Sequence, residues 1–214
     1  MQEGFKLENQ KLVEHLKLMG IKDEKVLNSI LQVPRHIFLP KNLWKVAYSD
    51  DALPLEQGQT ISQPYTVAVM LEALELKKGD KVLEVGTASG WNVCLIAKII
   101  DPGIIYTTEI IKELAEFAKK NIKKIDIKNI EIIHTDGSQG YEKEAPYDKI
   151  IMTCACKEVP PPLFSQLKDN GILVAPVGSK FSQQMIKIIK QGKNLNKDYL
   201  GDFIFVPLKG KYGF

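Results

Sequence analysis

The chain has little of what marks a secreted, membrane-spanning or metal-holding protein. Its 214 residues include only three cysteines, Cys94, Cys154 and Cys156. An odd number cannot close into a complete disulfide set, and Cys154-Ala-Cys156 lacks the two-residue gap of zinc and redox pairs. Reduced thiols, a cytoplasmic location and no metal are therefore expected. Histidine is equally sparse: His15, His36 and His134 are scattered without a pattern, and core or surface roles are expected for each. No apolar run reaches the length of a membrane span, and residues 1–20 carry charges throughout, unlike a signal peptide. A formal net charge of +3 gives no footprint for nucleic acid unless the lysines cluster. Lys112, Lys119, Lys120, Lys123 and Lys124 do share one segment, but a solvated helix face accounts for them. Neither a nucleic-acid nor a membrane partner is expected, and the chain reads as a monomer.

What is present is an ordinary globular composition, 44% apolar and 26% charged. The length suits one domain, residues 1–214, with helices and a loop over 1–75 and an α/β core over 76–214. Leu12, Val13, Leu16 and Met19, then Val26, Leu27, Ile30 and Leu31, fall at helical spacing. Residues 44–63 are rich in Gly, Pro, Asp and Gln without periodicity, the composition of a shaped loop. Val67, Met70, Leu71 and Leu74 predict a further helix. Beyond residue 80, short apolar runs at 81–85, 104–110, 130–134, 147–152 and 171–177 alternate with helical segments at 91–100, 112–124 and 161–167. That alternation predicts a doubly wound, mostly parallel sheet of Rossmann-like type, with two more strands at 184–190 and 199–206.

The sharpest chemical signal is Val82-Leu-Glu-Val-Gly86-Thr-Ala-Ser-Gly90-Trp, a strand running into a small-residue turn that opens a helix. Such a turn admits close approach by a ligand, and the helix start presents free N–H groups. Dehydrogenases place a pyrophosphate there, but Glu84 would repel one. It suits a cationic ligand bearing an ammonium and a sulfonium, as S-adenosylmethionine does. Glu109 closes the next strand, where a carboxylate can accept from ribose hydroxyls, and Asp136-Gly137 after the third can face an adenine edge.

These residues, with Val33-Pro-Arg-His-Ile-Phe38, Tyr48-Ser-Asp50, Gly58-Gln-Thr-Ile-Ser-Gln-Pro64, Pro146-Tyr-Asp148 and Val206-Pro-Leu208, give a sequence that resembles the protein-L-isoaspartate O-methyltransferases. The resemblance covers nearly the whole chain. It implies methyl transfer from S-adenosylmethionine, leaving S-adenosylhomocysteine, to the free α-carboxylate of L-isoaspartyl residues in damaged proteins and peptides. It implies a catalytic role for Ser62, and cofactor contacts from Gln63, Pro64, Glu84, Gly86, Thr87, Ser89, Gly90, Glu109, Asp136 and Gly137. It implies substrate contacts from Thr60, Ile61, Ala155, Val206 and Leu208. Residues 44–63 and 203–214 are expected to build an open peptide groove. Three departures stand out: Ala88 where the family usually has glycine, Cys154-Ala-Cys156-Lys157 where it has an alanine-rich run, and a loosely matching Lys209–Phe214. Another methyl acceptor, or cofactor binding without catalysis, are the competing readings.

For Ser62 itself the residues leave two roles open. A serine shortly before Pro64 and a helical pattern is a common N-terminal cap. A hydroxyl beside the crevice could equally orient a substrate carboxylate. No covalent seryl intermediate is expected, because the carboxylate is already ionised at neutral pH and needs no activation.

Overall fold

The structure is a computed structural model describing residues 2–192 and 194–214. Helices α1 (Gln2–Leu18) and α2 (Glu24–Gln32) open the chain, the second capped by Asp23, whose carboxylate accepts from the Lys25 N–H at 2.8 Å. Leu12, Val13 and Leu16 of α1 and Val26, Leu27 and Ile30 of α2 are buried, as their spacing predicts. Met19 and Leu31 depart from that prediction: both are exposed, Met19 because it lies past the end of α1, where Gly20 turns the chain with φ 101°. Residues 35–46 form two short 3-10 turns. The loop that follows contains a two-residue hairpin, β1 (Leu53–Pro54) against β2 (Thr60–Ile61), reversed through left-handed Gln57 and Gly58. Helix α3 (Pro64–Leu74) starts on a proline, whose missing N–H is no loss at that position.

The rest is the expected alternation: β3 (Lys81–Val85), α4 (Trp91–Ile100), β4 (Ile104–Glu109), α5 (Lys112–Ile122), β5 (Ile130–His134), β6 (Tyr147–Met152), α6 (Pro161–Gln166), β7 (Leu167–Gly178), β8 (Gln183–Gln191) and β9 (Asn194–Phe203). They form one seven-stranded sheet in the order β5-β4-β3-β6-β7-β8-β9. Strands β3 to β7 are parallel, while β8 and β9 are antiparallel. Two boundaries differ from the sequence reading. Strand β7 begins at Leu167 rather than 171, because Leu167 pairs with Tyr147 ahead of a register shift. Strand β9 runs 194–203 rather than 199–206, because its polar residues pair along β8 without any apolar pattern to announce them.

The central strands β3, β6 and β7 are covered on both faces, so their interiors are mostly apolar. On one face Leu16, Leu27 and Leu71 from the first three helices join Val82, Ile96 and Val174. On the other, Leu83, Val85, Ile150 and Leu173 pack with Leu163 of α6. The chain travels outward from β3 through β4 to β5, then returns to lay β6 on the opposite side of β3. This reversal opens a crevice outside the carboxyl ends of β3, β4 and β6, where open α/β sheets bind ligands.

The loop over that crevice is held by Arg35, a fully buried cation. Its Nη1 donates to the carbonyls of Ala47 (2.8 Å) and Ser49 (3.3 Å), and its Nη2 to those of Asp51 (2.8 Å) and Ser62 (3.0 Å). The guanidinium also lies 5.3 Å over the ring of Trp91, at the start of α4. Burial lowers its pKa to about 10, with Asp50 and Asp51 opposing, so it remains charged at neutral pH. Arg35→Met should leave those carbonyls without a partner and cost about 2–4 kcal/mol, read as a lower urea midpoint at unchanged m-value.

Candidate active site

A cavity of about 560 Å³ occupies the crevice. One wall is the glycine loop, residues 86–89, with Asn92 and Glu109; the facing walls are residues 59–63 and 202–209. The loop is shaped by two backbone bonds, from the Gly86 and Thr87 N–H groups to the Thr108 carbonyl at 2.9 and 3.1 Å. Gly86 has φ 104°, and a Cβ there would collide with Thr153 Oγ1, which donates to the Gly86 carbonyl at 2.7 Å. At the far end a Cβ on Gly137 would strike Thr108 Oγ1. Glycine is therefore required at both places by close packing against a threonine hydroxyl.

The expected cofactor residues divide into those that border the cavity and those that stand behind it. Gln63, Gly86, Thr87, Ser89, Glu109 and Gly137 border it. Glu109 accepts from the Ala88 N–H at 2.9 Å and from the Ile111 N–H at 3.0 Å, which aims its carboxylate at the crevice from the end of β4. Gly90 stands behind: with φ 87° it ends the turn against Ile122, and so sets the direction of α4. Pro64 is the first residue of α3 and does not reach the wall.

Glu84 and Asp136, also expected as cofactor contacts, do not border the cavity in this structure. Glu84 is fully buried beneath the loop, its carboxylate accepting from Asn92 Nδ2 at 2.7 Å and from Thr107 Oγ1 at 2.6 Å. It is linked to the cavity wall through the Thr107 hydroxyl, which bonds the Thr87 hydroxyl at 2.7 Å, and through Asn92, whose buried Oδ1 has no partner among the described residues. An ammonium donor is the group such an orphaned acceptor suits, so this part of the wall fits the amino acid end of S-adenosylmethionine. The Asp136 carboxylate accepts from the Ser138 N–H at 2.9 Å and from the Lys211 N–H at 2.8 Å. Spacing along the chain could place both residues at strand ends but could not show which way their side chains turn.

Of the expected substrate residues, Thr60, Ile61, Val206 and Leu208 border the cavity. Ala155 does not; its N–H donates to the Val206 carbonyl at 2.8 Å, and its carbonyl accepts from the Leu208 N–H at 2.7 Å, so it anchors the wall. Ser62 borders the cavity and is not a cap. The residue preceding α3 is Gln63, and the Tyr65 N–H that a cap would take is bonded at 2.8 Å to Asp50 Oδ1 from the preceding loop. Asp50 Oδ2 also accepts from Gln63 Nε2 at 3.0 Å. Sequence reasoning assigned no role to Asp50 or Arg35, although both lie in quoted segments.

The departures also resolve. Ala88 sits at φ 47°, the left-handed region in which alanine costs on the order of 1 kcal/mol. Cys154 borders the cavity, but both it and Cys156 are buried, and burial raises each thiol, Cys156 to about 12. Both are thiols rather than thiolates at neutral pH. The histidines take no part: none borders the cavity, and His36 stacks on Phe5 at 4.2 Å between centroids. Among the described residues there is no cluster fit for a metal, and no helix is long and apolar enough to cross a membrane.

Burial raises the Glu84 carboxyl to about 7, the Thr107 and Asn92 hydrogen bonds opposing and the Glu109 charge adding to the rise. An acid whose pKa is higher folded than unfolded binds more protons in the native state, so its contribution to stability falls as pH climbs from about 4.5 through 7. Glu84→Gln should abolish that decline, and its stability relative to the parent should improve by about 3 kcal/mol between pH 5 and pH 8.5 in paired urea titrations. Ala88→Gly should raise stability by about 0.5–1 kcal/mol at constant pH, the relief of left-handed strain exceeding the added freedom of the unfolded chain.

Comparison with known proteins agrees with this geometry. The family model described as "Protein-L-isoaspartate(D-aspartate) O-methyltransferase (PCMT)" matches residues 7–213. A protein-L-isoaspartate O-methyltransferase from Dictyoglomus thermophilum is 48% identical over 209 residues, covering 98% of this chain and 94% of its own. One from Pyrococcus horikoshii is 46% identical over 208 residues, covering 95% and 94%. A solved protein-L-isoaspartate O-methyltransferase superposes with TM-score 0.87 at 30% identity, over 96% of this chain and 67% of that one. A Plasmodium falciparum structure described as a putative member, in complex with S-adenosyl-L-homocysteine, gives TM-score 0.82 at 32% identity over 94% and 98%. The glycine loop, the Gly58–Pro64 segment and the walls they build are thus those of a methyltransferase fold matched nearly end to end, and the chain belongs to the protein-L-isoaspartate O-methyltransferase family.

Proposed function

We propose that residues 1–214 act as one methyltransferase domain that esterifies the free α-carboxylate of L-isoaspartyl residues. In such a residue the backbone runs through the side-chain carbonyl, leaving the α-carboxylate exposed. The observation that carries the assignment of roles is the position of Ser62, which borders the same cavity as the glycine loop while its carbonyl is fixed by Arg35. The group the site would hold, S-adenosylmethionine, supplies a methyl carried on a cationic sulfur. Asn92 and the glycine loop would receive its amino acid end, Glu109 its ribose hydroxyls and Gly137 the edge of its adenine.

An anionic oxygen and a cationic sulfur lose charge as the methyl moves, so water, which favours separated ions, slows the reaction. Ile61, Val67, Phe205, Val206 and Leu208 give the cavity apolar walls that displace it. Holding the carboxylate in line can contribute about 7–11 kcal/mol, more than any single polar contact. The Ser62 hydroxyl donates to one carboxylate oxygen and points the other toward the methyl. No base is required, since the substrate acid is ionised well below neutral pH. The loop at 59–63 and the wall at 202–209 would receive the polypeptide that carries the isoaspartyl residue.

The test is methyl transfer from labelled S-adenosylmethionine to paired synthetic peptides that differ only in isoaspartate versus aspartate. Base-labile label should appear on the isoaspartyl peptide alone. Ser62→Ala should lower kcat by about 10- to 100-fold, the usual effect of removing one orienting hydrogen bond, with S-adenosylhomocysteine affinity unchanged by calorimetry. Transfer to neither peptide would sink the proposal.

A further inference from the structure

The acceptor wall leaves the sheet at Phe203, the last residue of β9, and borders the cavity through residues 204–209 with no long strand or helix of its own. Ile204, the first residue off the sheet, is 81% exposed, so its side chain anchors nothing. Phe205 is the first to be gripped. Its N–H donates at 2.7 Å to Oε1 of Gln183, a buried residue of β8 that does not border the cavity. The same amide's Nε2 donates at 2.6 Å to the Ser179 carbonyl. Gln183 pairs with Phe203 at the end of the ladder, so its side chain takes over where the backbone of β8 no longer follows β9.

Two features fix the amide. Its donor and its acceptor are both engaged, so turning it over would set its NH2 against the Phe205 N–H and its oxygen against the Ser179 carbonyl, and neither bond could form. The turn that receives it, residues 179–182, is closed on itself. Ser179 Oγ accepts from the Phe181 and Ser182 N–H groups at 3.1 Å each, and the Ser179 N–H donates to the Ser182 carbonyl at 3.0 Å. Just before the turn, the Gly178 N–H donates to the Cys156 carbonyl at 2.9 Å. Cys156 follows Ala155, which bonds Val206 and Leu208 farther along the wall. The wall therefore hangs from two neighbouring points of one frame, Gln183 at its start and Ala155 at its middle.

We propose that Gln183 is a positioning residue for the peptide acceptor: by holding the Phe205 N–H it sets where Phe205, Val206 and Leu208 stand, and so how an isoaspartyl chain lies against them. This inference rests on the methyltransferase reading above. Phe205 is buried, and without the amide its N–H would have to turn toward water, carrying Val206 with it. Ser62 is held separately, through Arg35, so loss of Gln183 falls on peptide binding more than on turnover.

Gln183→Met removes both bonds at similar volume, and Gln183→Glu keeps an acceptor for the Phe205 N–H while giving up the donor to Ser179. Gln183→Met should raise the KM for an isoaspartyl peptide about tenfold, with kcat lowered no more than about threefold, the scale of one lost buried hydrogen bond. Gln183→Glu should recover most of that KM. Hydrogen exchange at the Phe205, Val206 and Leu208 amides should quicken in Gln183→Met, return toward the parent in Gln183→Glu, and stay unchanged in β3 and α4. Equal KM rises in the two variants would overturn the proposal, because the acceptor for Phe205 would then not matter. So would a parent-like KM in Gln183→Met, or exchange that quickens throughout the protein and marks the residue as a support of the fold alone. If the parent transfers no methyl to isoaspartyl peptides, the methyltransferase reading fails by itself, and the exchange contrast at Phe205, with calorimetric binding of the same peptide, still decides the role of Gln183.

Discussion

A buried guanidinium governs the arrangement of this molecule's working face. Arg35 collects carbonyls from residues 47, 49, 51 and 62, and stacks on the indole that opens α4. Withdrawing one cation from water is costly, and it is tolerated because four carbonyl dipoles and an aromatic face replace the lost hydration. The consequence is geometric. A loop of about fifteen residues with only a two-residue hairpin of its own acquires a single path, and Ser62 arrives at the cavity with its backbone already fixed. Asp50, delivered by that loop, completes the beginning of α3 and holds Gln63 beside Ser62. Helix, loop and glycine turn therefore share one electrostatic hub.

Around that hub the site separates into residues that border the cavity and residues that hold them from behind. Glu84 bonds to Asn92, Asp136 to the chain at Lys211, and Ala155 to Val206 and Leu208. Carboxylates at the ends of parallel strands have a choice of facing the crevice or the neighbouring turn. Glu109 takes the first course, because the Ala88 and Ile111 N–H groups draw it over the glycine loop. Glu84, one strand inward and wholly covered, takes the second and is held largely uncharged at mildly acidic pH by its burial.

How much of this could be read from the sequence follows from which forces are local. Periodic apolar spacing announced α1 to α5 and β3 to β6, because burial on one or both faces writes itself into consecutive positions. The start of β7 and the extent of β9 were misjudged: one depends on a register shift against β6, and the other is polar along its length. At the site, the glycines and Glu109 were legible since backbone shape and strand ends are local facts. The orientation of Glu84 and Asp136 was not, because it is decided by Thr107, Asn92 and Lys211, between 8 and 75 residues away. Arg35 escaped for the same reason: its partners are carbonyls, which every residue has.

The glycine pair at 86 and 137 has an evolutionary side. Each faces a threonine hydroxyl where its own side chain would begin, Gly86 that of Thr153 and Gly137 that of Thr108. Neither member of a pair can change freely: a larger residue at the glycine needs the hydroxyl gone, and loss of the hydroxyl leaves a space that the glycine cannot fill. Descendants of this chain would thus be expected to exchange these positions two at a time or not at all. The loop should behave as an inherited unit, with drift confined to positions such as 88, where the alanine present already strains the backbone.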